Sequence, residues 1–583
     1  MAPPPALPLT AKRRQQTTRV KSGCRTCKIR RVKCDEQRPS CAKCVSSGRA
    51  CDGYGIWGQP AVVPSRSKGL SVLYPPQAVP GLDQDERGHL HRFRHLVAGR
   101  LAEPFGSYFW NSLVLQMSLS EPAVLHASIA LTSAYELFLP SHGISPPGHT
   151  ASNVPFLLRQ YNQAIKALTS NIKSENPISL RTAAVSSLLF ICLEILRGDL
   201  NAMQAHFNSG VKLLTQLQSR QNQSRITSDM ILVKDDTLAY DDHLVAAFTQ
   251  LNLQFLTLGN SSQRKGTFVS SFSYSRRIHI PPVFQTGDEA RRSFTSIIVA
   301  VIHLCKEFEQ TAHLSGAHIP IPSAAVLEKQ QALQVAMSEW VESYERSIVS
   351  LSLSISPQQR IGLTILRIYA DMFIIVTGTC LTIKETAYDT YLSVFELLIR
   401  RYDSFSAQGS ASQSSSAPGV CKLDPCFTID TGFFPPLYFT ALKCRNYVVR
   451  RKALLLLQQY PTMEGPWTGP MVAKVAGYVI DLEEKNFSKV LRSPPASSSG
   501  STILIEDDKS KTPRTSLATP DVVLPEFCRI HCVECKLPNR HEKESNIATL
   551  TLRRFQHELG KQGGWSVSFV DIDIVGNNGA WRT

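Results

Sequence analysis

The sequence predicts a mainly α-helical protein in two unequal parts, a small cysteine-held module near the N-terminus and a large helical domain after it. Three observations carry this. Six cysteines fall between Cys24 and Cys51 in one spacing used twice. Residues 55–85 then dissolve into Gly and Pro with little periodicity, the composition of a linker. From about residue 86, apolar side chains recur at helical spacing through most of what remains. With 583 residues and 43% apolar content, the chain exceeds one domain and can bury a sizeable core.

The predicted order begins with a disordered basic arm over 1–19, followed by the cysteine module over 20–54. That module reads Cys24-x2-Cys27-x6-Cys34, then Cys41-x2-Cys44-x6-Cys51. Each half supplies three thiolates, one fewer than a tetrahedral zinc requires. Two ions need eight ligand positions, and six sulfurs supply them only if two sulfurs bridge. Counting therefore predicts two structural Zn²⁺ with every position filled by sulfur and none left for a reactive water. The competing reading, a disulfide scaffold, belongs to secreted chains. The chain opens Met-Ala-Pro-Pro-Pro-Ala-Leu-Pro-Leu, without a charged start and long apolar stretch, so no signal peptide is expected.

Charge says what the module touches. Residues 1–60 hold thirteen Lys and Arg against three Asp and Glu, so the other 523 residues carry only +6 of the chain's +16. Lys28, Arg30, Arg31 and Lys33 crowd the six positions between Cys27 and Cys34, and Lys43 sits in the second half. A metal-pinned basic turn suits a polyanion, with counterion release making the affinity salt-sensitive. Double-stranded DNA is the expected partner. Lys12-Arg13-Arg14 is a solvated run or a nuclear-import signal.

Cys24 to Cys51 resembles the fungal zinc binuclear cluster (Zn2Cys6) DNA-binding domain throughout its spacing. The resemblance implies two short helices and bridging of the metals by the first and fourth cysteines, here Cys24 and Cys41. One zinc would take Cys24, Cys27, Cys34 and Cys41, and the other Cys41, Cys44, Cys51 and Cys24. Pro39 matches the family's loop proline. The family reads a CGG-type triplet in the major groove, and its base-reading position, commonly lysine, falls on Arg31. An arginine can contact guanine O6 and N7 with both arms. Lys28, Arg30, Lys33 and Lys43 are assigned to phosphates, giving register rather than sequence.

The helical domain, 86–583, is read from its stripes. Ser120 is expected to cap a helix with Pro122 in its first turn and Val124, Ala127, Leu131, Ala134, Tyr135 and Phe138 on one face. Leu157 to Leu168 repeats the spacing, and a nearly all-apolar stretch from Val185 to Leu196 ends at Gly198, suited to a helix C-cap. Further helices are expected at 243–258, 291–311, 325–350, 357–383, 386–401, 434–459 and 470–490. Ser-rich mobile loops are expected at 404–419 and 493–520. The alternation Trp565, Val567, Phe569 hints at a short strand. No apolar run is read as reaching a membrane span, so no membrane partner is expected. Phe190-x3-Glu194-x2-Arg197-Gly198 and His206-x3-Gly210-x2-Leu213-Leu214 make this part similar to the fungal-specific regulatory domain that often follows such clusters. That resemblance implies effector sensing or recruitment of transcriptional coregulators.

Other constellations are read as structural. Gly53 to Gly58 spells G-x-G-x-x-G, but no strand precedes it and Gln59-Pro60 follows. Cys528, His531, Cys532 and Cys535 are read as packing, and Cys421-x4-Cys426 likewise. Asp242 is expected to cap a helix, with Asp235, Asp236 and Asp241 solvated. Glu194 is expected to pair with Arg197. The chain has no G-x-S-x-G, Walker loop or H-E-x-x-H. The expectation is a nuclear, non-enzymatic, sequence-specific transcription factor, set against a helical ligand-binding protein or enzyme carrying a zinc scaffold. A single module covers few base pairs, which argues for a homodimer on paired half-sites, although no sustained heptads follow the linker.

Overall fold

The computed structural model describes residues 23–24, 26–27, 30, 32–37, 40–47, 49 and 51 near the N-terminus. Beyond them it describes 81–141, 154–171, 177–221, 231–233, 239–258, 272–274, 278–314, 321–411, 427–460, 462–492, 524–539, 546–556 and 564–574. The arm 1–19, Lys28, Arg31, Pro39, Gly53 to Gly58, Asp235, Asp236, Cys421, Cys426 and the stretch 493–520 lie outside the described residues. Two compact units divide the chain: residues 1–75 with 238–240, and the remainder.

In the first unit, the second half of the cysteine module forms a single helical turn, α1 (Ala42–Val45), whose N-cap is Cys41. The second unit is built mostly of helices. Its first, α2 (Gln84–Arg92), opens on a capping box in which Asp83 and Glu86 satisfy each other's backbone N–H groups. Then follow α3 (Pro122–Ser141), α4 (Val154–Asn171), α5 (Pro177–Arg197) and α6 (Leu200–Gln221). Here α3 starts at Pro122 itself, and Ser120 instead leans back to the Met117 carbonyl, 3.4 Å away. Proline fits that first position because its missing N–H would have no intrahelical acceptor.

Helix α5 is apolar all round, and every residue from Thr182 to Leu196 is buried. It stops where the sequence predicts. Gly198 takes φ 78°, Asp199 N–H donates to Glu194 O and Gly198 N–H donates to Ile195 O, the paired bonds of a Schellman cap. Two helical segments, Pro177–Arg197 and Gln358–Thr379, are long and apolar enough to cross a membrane, contrary to the sequence reading. Their apolar windows are 78% and 72% buried inside the fold, which is the property of core helices.

After α7 (Tyr240–Thr257) come α8 (Gly287–Leu314), α9 (Ala324–Ser354), α10 (Pro357–Thr379) and α11 (Leu392–Ala411). Trp340 of α9 is fully buried against Phe294 and Tyr344, and its indole N–H donates to the Ala290 carbonyl at 3.0 Å. A 3-10 turn, Glu385–Tyr391, leads into α11. Residues 404–411, expected in a loop, continue that helix: each further residue adds a hydrogen bond once a turn exists, and no proline intervenes before Pro418. The stripe at 434–459 is two helices, α12 (Phe434–Lys443) and α13 (Tyr447–Gln459), broken where Asn446 caps the second through Val448 and Val449 N–H. The last helix among the described residues is α14 (Gly469–Arg492).

Among the described residues, three small sheets interrupt the helices: the parallel pair β1 (Ile231–Val233) and β2 (Phe272–Tyr274), the set β3 (Phe427–Thr428), β4 (Met463–Glu464) and β5 (Trp467–Thr468), and a C-terminal antiparallel sheet. In that sheet, β6 (Cys532–Lys536), β7 (Ile547–Gln556) and β8 (Gly564–Asp573) lie in chain order. The expected strand near 565–575 is β8, whereas β6 and β7 correct the expectation of an all-helical domain. Their residues alternate: Ala548, Leu550 and Leu552 are buried with Cys535 and Ile572 in the main core, while the residues between them face outward.

Candidate metal centre

Among the described residues, two groups of cysteines come together tightly enough to hold an ion: Cys24, Cys27, Cys34 and Cys41, and Cys24, Cys41, Cys44 and Cys51. The two tetrads share Cys24 and Cys41. The Cys24 and Cys41 sulfurs are 3.6 Å apart, Cys27 and Cys41 3.5 Å, and Cys24 and Cys44 3.7 Å. A tetrahedral zinc with sulfurs at about 2.3 Å has an S···S edge of about 3.8 Å, so the donor set fits that metal.

Backbone geometry repeats between the halves. Cys27 N–H donates to Cys24 Sγ at 3.4 Å, and Cys44 N–H donates to Cys41 Sγ at 3.3 Å. Each shared sulfur thus opens its own C-x2-C turn and accepts a hydrogen bond from the second cysteine. Such bonds favour thiolate, while burial pushes the Cys24 and Cys44 thiols up. Six thiolates held this close would repel one another, a cost that divalent cations among them would offset. Asp35 braces α1 by accepting from Ala42 N–H at 2.9 Å and Lys43 N–H at 3.2 Å, and these bonds hold its carboxyl below the usual range. Lys33 and Lys43 are exposed. Arg30 is half-buried and donates to Ser47 Oγ at 2.8 Å, which ties the two halves together.

These features agree with comparisons to known proteins. Residues 22–56 match the fungal Zn(2)-Cys(6) binuclear cluster domain, and residues 90–276 match the fungal specific transcription factor domain. The chain carries the two domains of a fungal zinc-cluster transcription factor. It is 24% identical over 561 residues to the aspercryptin biosynthesis cluster-specific transcription regulator of Emericella nidulans, covering 80% of this chain and 88% of that protein. It is 27% identical over 203 residues to the transcription regulator lscL of Purpureocillium lilacinum, covering 33% of this chain and 48% of the relative. An uncharacterized transcriptional regulatory protein of Schizosaccharomyces pombe is 33% identical over 138 residues, or 21% and 25% of the two chains. No solved structure matches. Zinc binding and DNA binding are the properties of this family's cluster domain.

The residues that carried the likeness of this transcription factor's helical unit form one cluster. Glu194 and Arg197 pair at 2.8 Å, as expected, and Arg197 lies over the Tyr161 ring. The Tyr161 hydroxyl meets His206 Nε2 at 3.0 Å, and Phe190 packs edge-on to Tyr161 and tilted against His206. A Cβ on Gly210 would come within 2.4 Å of Phe248, so that glycine is the contact point of α6 with α7. His126 meets Gln160 at 2.7 Å.

Other expectations change. Helix α7 starts at Tyr240, placing Asp242 inside its first turn instead of at the N-cap, and Asp241 is buried against Arg181 at 2.6 Å rather than solvated. Tertiary pairing overrides the local capping preference. Cys528, His531, Cys532 and Cys535 do not gather as ligands. His531 Nε2 faces Glu526 at 3.1 Å, its Nδ1 accepts from Phe555 N–H, and Cys535 is buried in the core.

Sequence reasoning missed a buried ionic network. Glu483 accepts from Arg445 at 2.9 Å, Arg450 at 2.7 Å and Ile530 N–H at 2.7 Å. Burial opposes charge on Glu483, yet the two arginines hold its carboxyl down at about 2. Glu385 accepts from Lys443 at 2.6 Å and from Arg445 at 2.8 Å, and Arg529 pairs with Asp389 at 2.6 Å. The network ties the start of the C-terminal sheet region to α12, α13 and α14. Its members are scattered in sequence, so no local pattern signalled it.

Proposed function

We propose that this transcription factor is a nuclear, sequence-specific regulator of RNA polymerase II transcription that holds two structural Zn²⁺ and reads CGG-type half-sites. The observation that supports the metal count is the sharing of Cys24 and Cys41 between two sulfur tetrads, which gives eight ligand positions from six residues. Cys24, Cys27, Cys34 and Cys41 would hold one ion, and Cys24, Cys41, Cys44 and Cys51 the other. When bound, the zinc supplies rigidity, holding a basic turn in shape for the major groove. Arg31 is the base reader, and Lys28, Arg30, Lys33 and Lys43 lie over phosphates. The helical unit recruits coregulators, and two copies occupy paired half-sites. By its likeness to the aspercryptin regulator, the class of target is a biosynthetic gene cluster.

Selection of random duplex DNA by the zinc-loaded full chain tests this reading. Enrichment of CGG-type half-sites is expected, and Arg31→Ala is expected to cost roughly 1–3 kcal/mol and relax the preferred triplet. Lys33→Ala and Lys43→Ala should weaken all sequences alike, each lowering the salt slope by about 1. Salt-sensitive binding with no enriched motif would sink the base-reading role.

A further inference from the structure

Strand β8 is the outer strand of the C-terminal sheet and pairs with β7 on one side. Among the described residues, no strand pairs with its other side. Such an edge carries a row of unpaired backbone donors and acceptors, and proteins ordinarily guard it with charge, bulges or a covering element. Here the first half of the edge carries no charge: it reads Trp565-Ser-Val-Ser-Phe569, and the acids Asp571 and Asp573 come only afterwards. The outward face is apolar, with Trp565 45%, Val567 49% and Phe569 72% exposed. Trp565 is steadied by Phe555 and by His531, at ring-centre distances of 5.2 and 5.6 Å.

The pattern is symmetric about Val567. We propose that a second copy of this chain docks here, β8 against β8, antiparallel and centred on Val567, joining two three-stranded sheets into one of six strands. In that register Val567 faces its own counterpart, Trp565 faces the partner's Phe569, and Ser566 faces the partner's Ser568. Aromatic and β-branched cross-strand pairs are the favourable ones in sheets. Charge selects this register over its neighbours. Sliding the centre to Phe569 sets Val567 against Asp571 and Trp565 against Asp573, and sliding it to Asp571 sets that carboxylate against itself.

The contact deepens the two-copy reading above and rests on it. Five paired residues per copy bury less than the roughly 1,200–2,000 Å² of a standard interface, so the contact makes a weak dimer. Adjacent half-sites on DNA would raise the effective concentration of one copy beside the other and reinforce it.

Sedimentation velocity of the full chain without DNA, at micromolar concentrations, tests the surface. The unaltered chain is expected to dimerise reversibly. Val567→Glu and Val567→Lys each set like charges face to face and should weaken the dimer more than about tenfold. An equimolar mixture of the two variants should restore it, because Glu then faces Lys, and that restoration excludes misfolding as the cause of the loss. A Val567→Glu dimer as tight as the unaltered one overturns the β8 contact while leaving a two-copy protein. An unaltered chain that stays monomeric at these concentrations overturns the β8 contact, and enrichment of single rather than paired half-sites in the DNA selection overturns the two-copy reading. Variants that dissociate but do not recover on mixing overturn the register centred on Val567.

Discussion

The two units are held together by opposite means. Among the described residues of the N-terminal unit, the buried cluster consists of six cysteines and no aliphatic or aromatic side chain. The helical unit buries whole helices, with Trp340, Phe207, Phe248 and Phe255 among its fully enclosed side chains, and adds a network of buried charges. In the first, metal–sulfur bonds replace a hydrophobic core, because so few residues cannot bury enough apolar area to offset chain entropy. In the second, burial supplies the stability and charges are admitted only with partners. The molecule should therefore be breakable one half at a time.

The largest effect is expected at a shared sulfur. Cys24→Ser or Cys41→Ser removes a ligand from both tetrads at once, whereas Cys51→Ser touches one. Apparent free energies of structural zinc binding run to about 10–16 kcal/mol near neutral pH, so loss of the shared ligand should unfold the module and abolish DNA binding. Zinc per chain, measured by atomic emission, should fall further for the shared positions than for Cys51, while thermal unfolding of the helical unit stays put. Equal losses at Cys24 and Cys51 would break the idea of a shared pair.

Glu483→Gln is the counterpart in the other half. It leaves the buried Arg450 guanidinium without a carboxylate and Arg445 with Glu385 alone, a change expected to cost about 3–5 kcal/mol. Calorimetry should show the helical transition falling, with zinc content and the cluster unchanged. A loss of zinc in this variant would contradict the separation of the two halves.

The two kinds of stabilisation also differ in how far they can be read from sequence. Metal ligation leaves a local mark, since the spacing from Cys24 to Cys51 is fixed by the turns that aim sulfur at an ion. Counting alone implied two shared sulfurs, and in the structure Cys24 and Cys41 are the two that stand in both tetrads. Helices were legible from their stripes, and Gly198 from its place after an apolar run. The ion network was not legible, because Glu385, Arg445, Glu483 and Arg529 meet only after the chain has folded. Likewise β6 was hidden in Cys532-Val-Glu-Cys-Lys, where alternation is masked by residues that invite a metal reading. Asp241 looked solvated because its partner, Arg181, is sixty residues away.

A smaller pH effect lies within the helical half, where two buried carboxyls titrate in opposite senses. Glu464 is fully enclosed and accepts from Phe433 and Phe434 N–H without a cation beside it, and burial pushes its carboxyl up to about 8. The folded state thus keeps a proton that the unfolded chain releases above about 4.5. Stability from this group is full below that pH and is lost as pH rises toward 8, by at most about 1.4 kcal/mol per pH unit. Glu483 acts in the opposite sense in a separate window, its contribution disappearing as pH falls from 4.5 toward 2. Melting temperatures of the full chain between pH 5 and 8 should show the decline, and Glu464→Gln should flatten it. An identical slope in that variant would assign the decline to other groups.

The smallest effect is the most instructive about charge. Lys329 and Glu307 pair at 2.9 Å, a distance matched by Arg445 and Glu483, but their side chains are 55% and 45% exposed. Water solvates either partner when the other is removed, so no buried charge is stranded. Lys329→Ala is expected to change stability by less than about 0.5 kcal/mol, and any loss should shrink in high salt. Chemical denaturation of this variant beside Glu483→Gln compares one ionic contact in two environments. A loss at Lys329 as large as that at Glu483 would mean that the pairing itself, and not the stranding of its partner away from water, sets the cost.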